Sequence, residues 1–120
     1  LIDFNESHAT NPLWTGHARF HLVWQVNAMI ITALLSIFLL WFFYSITNHL
    51  IVILLNFLWV LSFYATVFGL KLFDGELNDI NGVPPVLIKL LGREFEIDRN
   101  IQAITGVLLV NSYAGALFFA

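Results

Sequence analysis

Hydropathy along the chain alternates between long apolar runs and short polar ones. From Leu22 to Ile46, from His49 to Leu70 and from Ile101 to Ala120 there is no Lys, Arg, Asp or Glu. At a rise of 1.5 Å per residue the first run is about 37 Å long, which crosses a hydrocarbon core of about 30 Å with some tilt. The pattern predicts an all-α integral membrane helical bundle with three visible transmembrane helices, at 22–46, 49–70 and 101–120. Thr47-Asn48 supplies a short turn and cap between the first two, which makes them a helical hairpin.

The polar stretches punctuate these spans. Residues 1–21 read as an interfacial N-terminal segment. Within it Asn11 is the expected N-cap and Pro12 the expected first helical residue, with Trp14 in the aromatic belt. Asn5-Glu6-Ser7 also fits a glycosylation sequon. Residues 71–100 read as a polar loop with turns at Asp74-Gly75 and Asn81-Gly82. After Pro84-Pro85, the run from Val86 to Leu91 is too short to span and too apolar to be free in water. It predicts a short interfacial helix, capped by Gly92, with Lys89 snorkelling. Asp98 is placed to cap the third span. The whole of 1–120 is expected to form a single membrane domain.

Composition strengthens the membrane reading. The chain is 59% hydrophobic and 11% charged, against about 25% charged in soluble domains. A net charge of -3 argues against nucleic acid as a partner. The absence of cysteine removes disulfides, thiolate metal sites and cysteine nucleophiles. All Lys and Arg residues (Arg19, Lys71, Lys89, Arg93 and Arg99) fall on one side of a three-span layout. The positive-inside rule makes that side cytoplasmic, so residues 71–100 are expected there, in a bacterial cytoplasmic membrane. The chain begins at Leu1 and ends inside an apolar run; both ends are expected to be incomplete or processed, with Leu1-Ile2 closing an earlier helix.

Candidate chemistry gathers at the start of the first span. His17 and His21 stand four residues apart and so share a helix face. Imidazoles at that spacing can share a metal ion, with His8, Asp3 or Glu6 completing the shell, and Asp74, Glu76, Asp79 and Asp98 also within the same side. His8 is expected to fold back towards the pair. The residues between the histidines are Ala18-Arg19-Phe20, so the general base of an H-E-x-x-H site is missing. Interfacial hydrogen bonding and an acid/base or polar-ligand role stay open beside metal or haem ligation. A bis-histidine haem using His49 is disfavoured, because His49 sits at the opposite membrane face.

Below the histidines, Gln25, Ala28, Thr32 and Ser36 continue the same stripe, bordered by Trp24. Polar groups facing lipid are costly, so Gln25, Thr32 and Ser36 are expected to be buried against protein, or to wall a polar cavity. Asn56 and Asn111, each near mid-membrane, are expected to bridge helices, with substrate contact as the alternative; Asn27 lies off the stripe. The acidic loop fails as an EF-hand: with Gly82 in the glycine slot, Leu77 and Ile88 occupy ligand positions.

The run Asp3-Phe4-Asn5-Glu6-Ser7-His8, then Asn11-Pro12-Leu13-Trp14 and His17-Ala18-Arg19-Phe20-His21, resembles the opening of small bacterial and fungal membrane proteins similar to the DoxX-like four-helix group. The resemblance covers residues 3–21, and the remainder only as helix spacing. It implies a four-helix membrane bundle whose first helix precedes Leu1. It carries no established activity or ligands.

The function expected from these residues is that of a small non-catalytic membrane subunit packing against a larger membrane complex, lipid, or both. The chain has no nucleophile motif or cofactor fingerprint, and three spans leave a large apolar surface to cover. The alternative is a membrane enzyme or metal- or haem-binding protein acting on a lipophilic substrate through His8, His17 and His21, with a metal ion as its cofactor.

Overall fold

A computed structural model describes residues 3–77 and 83–119. Leu1-Ile2, Asp79 and the expected Asn81-Gly82 turn lie outside the described residues. Three helices long and apolar enough to cross a membrane account for most of the chain. They are α1 (Gly16–Phe42), α2 (Ile46–Gly69) and α3 (Arg99–Phe119), with a 3₁₀ turn at Leu70–Leu72. A two-stranded antiparallel sheet, β1 (Val86–Leu90) and β2 (Arg93–Ile97), precedes α3. The chain divides into two compact units, Leu1–Val52 and Ile53–Ala120.

In the first unit the helix begins later than the Asn11-Pro12 pair predicts. Asn11 is fully buried and is spent on a turn. Its Oδ1 accepts from the Leu13 amide at 3.0 Å and its Nδ2 donates to the Ser7 carbonyl at 3.2 Å. Its backbone amide donates to the His8 carbonyl, and its own carbonyl accepts from the Trp14 amide. An asparagine that can satisfy turn groups competes with its own use as a cap. Thr15 is the N-cap instead, extended at φ -62 and ψ 154, with its hydroxyl accepting from the Ala18 amide. Pro12 therefore sits in the turn, outside the helix.

The boundary between the first two spans shifts the other way, to earlier residues. α1 ends at Phe42, and Phe43–Ser45 connects it to α2. Thr47 and Asn48 lie inside α2. Ser45 caps it, accepting from the Asn48 amide at 3.0 Å, and the Asn48 side chain reaches back to the Phe43 carbonyl. The turn expected at Thr47-Asn48 lies three to four residues earlier, because Ser45 is the cap and Asn48 is already in the first turn of the helix.

In the second unit Asp98 performs the expected capping. Its Oδ1 accepts from the amides of Asn100 and Ile101 at 2.8 and 3.1 Å. Arg99 Nε donates to the Pro84 carbonyl at 2.9 Å, which ties the approach to β1 onto the first turn of α3. The Asp74-Gly75 turn is also present: Asp74 takes a positive φ of 51, and the Gly75 amide donates to the Leu70 carbonyl. A Cβ on Gly75 would meet the Phe73 ring, so any larger residue there would need that exposed side chain to move.

The expected surface helix at 86–91 is replaced by a β-hairpin, and the all-α description is corrected accordingly. The register pairs Leu90 with Arg93, leaving Leu91-Gly92 as a two-residue turn. Both have positive φ, 50 and 76, as a type I′ turn requires. Gly92 thus serves a hairpin and caps no helix. Leucine in this region costs roughly 1–2 kcal/mol. Strand pairing over Val86–Ile97 supplies backbone hydrogen bonds that a six-residue helix, with all its termini open, cannot match.

Candidate functional site: a histidine pair on an aromatic helix face

The site stands on the first turns of α1. Thr15 caps the helix, Gly16 is its first residue, and helical geometry then carries His17 and His21 to one face. Their Nε2 atoms are 3.0 Å apart and the rings meet edge to face, with centroids at 4.4 Å. A hydrogen bond at that distance needs one ring to donate and the other to accept through Nε2, so the contact holds with at most one of the two protonated. Two bonds of about 2.0–2.1 Å from a tetrahedral metal would set the nitrogens roughly 3.4 Å apart, a small opening of the present geometry.

Aromatic rings frame the pair. Phe20 stacks on His17 at 6.4 Å with an interplanar angle of 15°, and Trp24 lies 5.8 Å from the His21 ring. Phe20 and Trp24, with Val23 and Asn27, line an open groove of about 290 Å³. His17, Phe20, His21 and Trp24 are all exposed. Aromatic faces beside an open groove favour a flat or apolar guest, and the imidazoles at its rim add a donor and an acceptor. Phe20 was legible as part of the aromatic opening, but its stacking on His17 was not read from the sequence; its place three residues after His17 was the available signal.

His8 is engaged elsewhere. Asn5 Oδ1 accepts from both the amide and the hydroxyl of Ser7, at 2.9 and 2.6 Å. With its proton given to Asn5, the Ser7 hydroxyl can only accept from His8 Nδ1, 2.7 Å away. His8 is thereby held as the Nδ1–H form, its ring set edge-on to Trp14 at 5.6 Å. Among the described residues no group of three or more His, Asp and Glu side chains is placed to hold one metal ion. The structure thus joins His17 to His21 and leaves His8 at the Trp14 turn.

The stripe below the histidines is divided. Within the single chain Gln25 is exposed, Thr32 half-buried and Ser36 buried. Both hydroxyls bond within their own helix: Thr32 to the Ala28 carbonyl and Ser36 to the Thr32 carbonyl, each at 2.8 Å. Each hydroxyl is thus satisfied by the carbonyl four residues back within its own helix. Asn56 on α2 and Asn111 on α3 line one open cleft of about 550 Å³, with Ala103 and Gly106.

Beside that cleft lies a bridge that sequence reading missed. Tyr64 and Thr105 join α2 to α3 through their hydroxyls at 2.7 Å. Thr105 already donates to the Ile101 carbonyl, so Tyr64 is the donor. The available signal was a tyrosine within an apolar span, whose hydroxyl must find a partner. Compared with family models, curated proteins and solved structures, the chain matches none of them.

Proposed function

We propose that this chain is a small non-catalytic integral membrane subunit that packs against a larger membrane complex and the surrounding lipid. One observation carries the reading. In the most apolar stretch of each span only 11%, 11% and 0% of residues are buried within the chain. Surface of that kind is stable only against hydrocarbon or other helices, and small residues beside polar ones, as at Gly106 and Asn111, favour helices. Extraction of the native membrane in a mild detergent, followed by native mass spectrometry, tests it. A stoichiometric assembly with other membrane chains is expected. A lone chain, as stable alone as in its membrane, overturns the subunit reading.

The same reading puts residues 71–100 on the cytoplasmic side, by the positions of Arg19, Lys71, Lys89, Arg93 and Arg99. Because the chain lacks cysteine, Thr47→Cys and Lys89→Cys report cleanly. An impermeant thiol reagent outside intact cells is expected to label position 47 and spare position 89. Labelling of both from one side overturns the three-span arrangement.

A second reading has the 3.0 Å approach of His17 and His21 behind it. These imidazoles, next to the Phe20–Trp24 groove, would bind a metal or haem iron and act on a lipophilic substrate. Metal analysis and an absorption spectrum of the purified protein decide between the two. The subunit reading expects no stoichiometric metal and no haem band. Stoichiometric metal that is lost in His17→Ala/His21→Ala, with the variant still inserted, would replace it with the metal reading.

A further inference from the structure

The β-hairpin has two unlike faces. Residues directly opposite in an antiparallel pair share a face, and successive pairs alternate. The pairs Val86–Ile97, Ile88–Phe95 and Leu90–Arg93 therefore fall on one face, and Leu87–Glu96 and Lys89–Glu94 on the other. The first face is apolar except for Arg93 at its outer end. The second carries the ion pair between Lys89 Nζ and Glu94 Oε1, 2.7 Å apart. Exposure rises along the apolar face. Val86 and Ile97 at the base are half-buried, Ile88, Leu90 and Phe95 are exposed, and Leu91 at the tip is 95% exposed.

We infer that this apolar face and the Leu91 tip lie in the interfacial zone of the bilayer that the chain spans, at the boundary between headgroups and acyl chains. Connectivity selects this occupant. β2 ends at Ile97 and α3, one of the three spans, starts at Arg99, so one residue separates the hairpin from a helix entering the membrane. Arg99 also fastens the Pro84 carbonyl to that helix start. The hairpin is thus tethered at both ends at the level where α3 meets the membrane surface.

The backbone sets the depth. A two-stranded sheet leaves the outer edges of both strands without ladder partners, and such groups need water or headgroups. The hairpin therefore lies flat at the interface and does not enter the hydrocarbon core. Its apolar face turns to the acyl chains and its Lys89–Glu94 face to water, while Arg93 extends to the phosphate level. An isolated two-stranded hairpin is marginal in water, and burying one face at the interface stabilises it. Leucine at a turn position that asparagine or glycine would fill more easily has the same explanation, because its side chain is what the membrane takes up. Lys89 and Arg93 are balanced by Glu94 and Glu96, so the contact is apolar and indifferent to anionic lipid.

Spin labels on the full chain test this. The natural absence of cysteine allows single-cysteine variants at Leu87, Ile88, Lys89, Leu90, Leu91, Phe95 and Glu96, each carrying a nitroxide, in phosphatidylcholine vesicles. Oxygen partitions into the bilayer and a nickel chelate into water. The expected result is a period of two along the strands, with 88, 90, 91 and 95 favouring oxygen and 87, 89 and 96 favouring nickel. Adding phosphatidylserine is expected to leave the pattern unchanged. Leu91→Asn keeps a favoured turn residue, so the hairpin persists while the tip withdraws, and the label at 90 should become more accessible to nickel. Uniform nickel access at all positions overturns the inference, as a water-exposed loop. Labels at 88, 91 and 95 that are immobile and shielded from both reagents also overturn it, in favour of a protein partner.

Discussion

α1 and the α2–α3 pair solve the same problem in different ways. Each must carry hydroxyl groups through an apolar environment. α1 does so locally: Thr32 and Ser36 each bond to a carbonyl one turn back. In the second unit Thr66 and Thr105 do the same, to the Ser62 and Ile101 carbonyls, while Tyr64 reaches across to Thr105 on the neighbouring helix. The difference is one of reach. A short β-hydroxyl folds back onto its own helix, whereas the phenol oxygen of tyrosine stands too far from the backbone to do so. Serine and threonine on a membrane helix can therefore satisfy their hydroxyls locally, whether or not a neighbour packs on that face.

The helix caps extend the comparison and supply its largest expected effect. Asp98 is 8% exposed and holds two amides at the start of α3, while Thr15 is exposed and holds one amide at the start of α1. Asp98→Ala is expected to cost about 1–2 kcal/mol, because it removes a buried cap that accepts from two amides. Thr15→Ala is expected to cost about 0.5–1 kcal/mol, since water replaces the cap. Reversible unfolding in mixed micelles measures both, and an equal cost at the two caps would break the contrast.

The next effect bears on the hydroxyls. Tyr64→Phe and Thr105→Val should each weaken the second unit, and the double variant should reveal a coupling of about 0.6 kcal/mol, with about 1.7 kcal/mol as the ceiling for such bonds. Additivity of the two changes would show that the bridge contributes nothing in the membrane. The smallest effect is the sharpest control. Thr32→Val and Ser36→Ala are each expected to stay within about 0.5 kcal/mol of the parent, because the carbonyls they release keep their helical amide partners. A loss above about 1 kcal/mol at either site would mean that another chain reads the stripe after all.

Much of this architecture was legible in advance where the physics is local. Uncharged runs longer than a bilayer thickness predict helices long and apolar enough to cross a membrane, and three such helices are present. The four-residue spacing of His17 and His21 sets a shared face, and the structure has their nitrogens in contact. Asp98 before an apolar run is a cap by the chemistry of its own side chain.

The rest turned on competition between alternatives that look alike in one dimension. Asn11 suits a cap and a turn equally well, and the groups of Ser7 and Leu13 decided for the turn. Val86 to Leu91 has no period that separates a short helix from a strand. Arg93–Ile97 settled that choice by pairing with it, and Gly92 became a turn residue in consequence. Tyr64 announced that it needed a partner but not which one; Thr105 is more than a loop away and is reached only once α2 and α3 pack. The amino-acid sequence by itself determined the spans, the Asp98 cap and the histidine face, because each depends on neighbours within a turn or on the thickness of a membrane. The hairpin and the late start of α1 were settled by competition among near neighbours that the sequence leaves open, and the tertiary structure alone decided the inter-helix bridge, because its two hydroxyls are far apart along the chain.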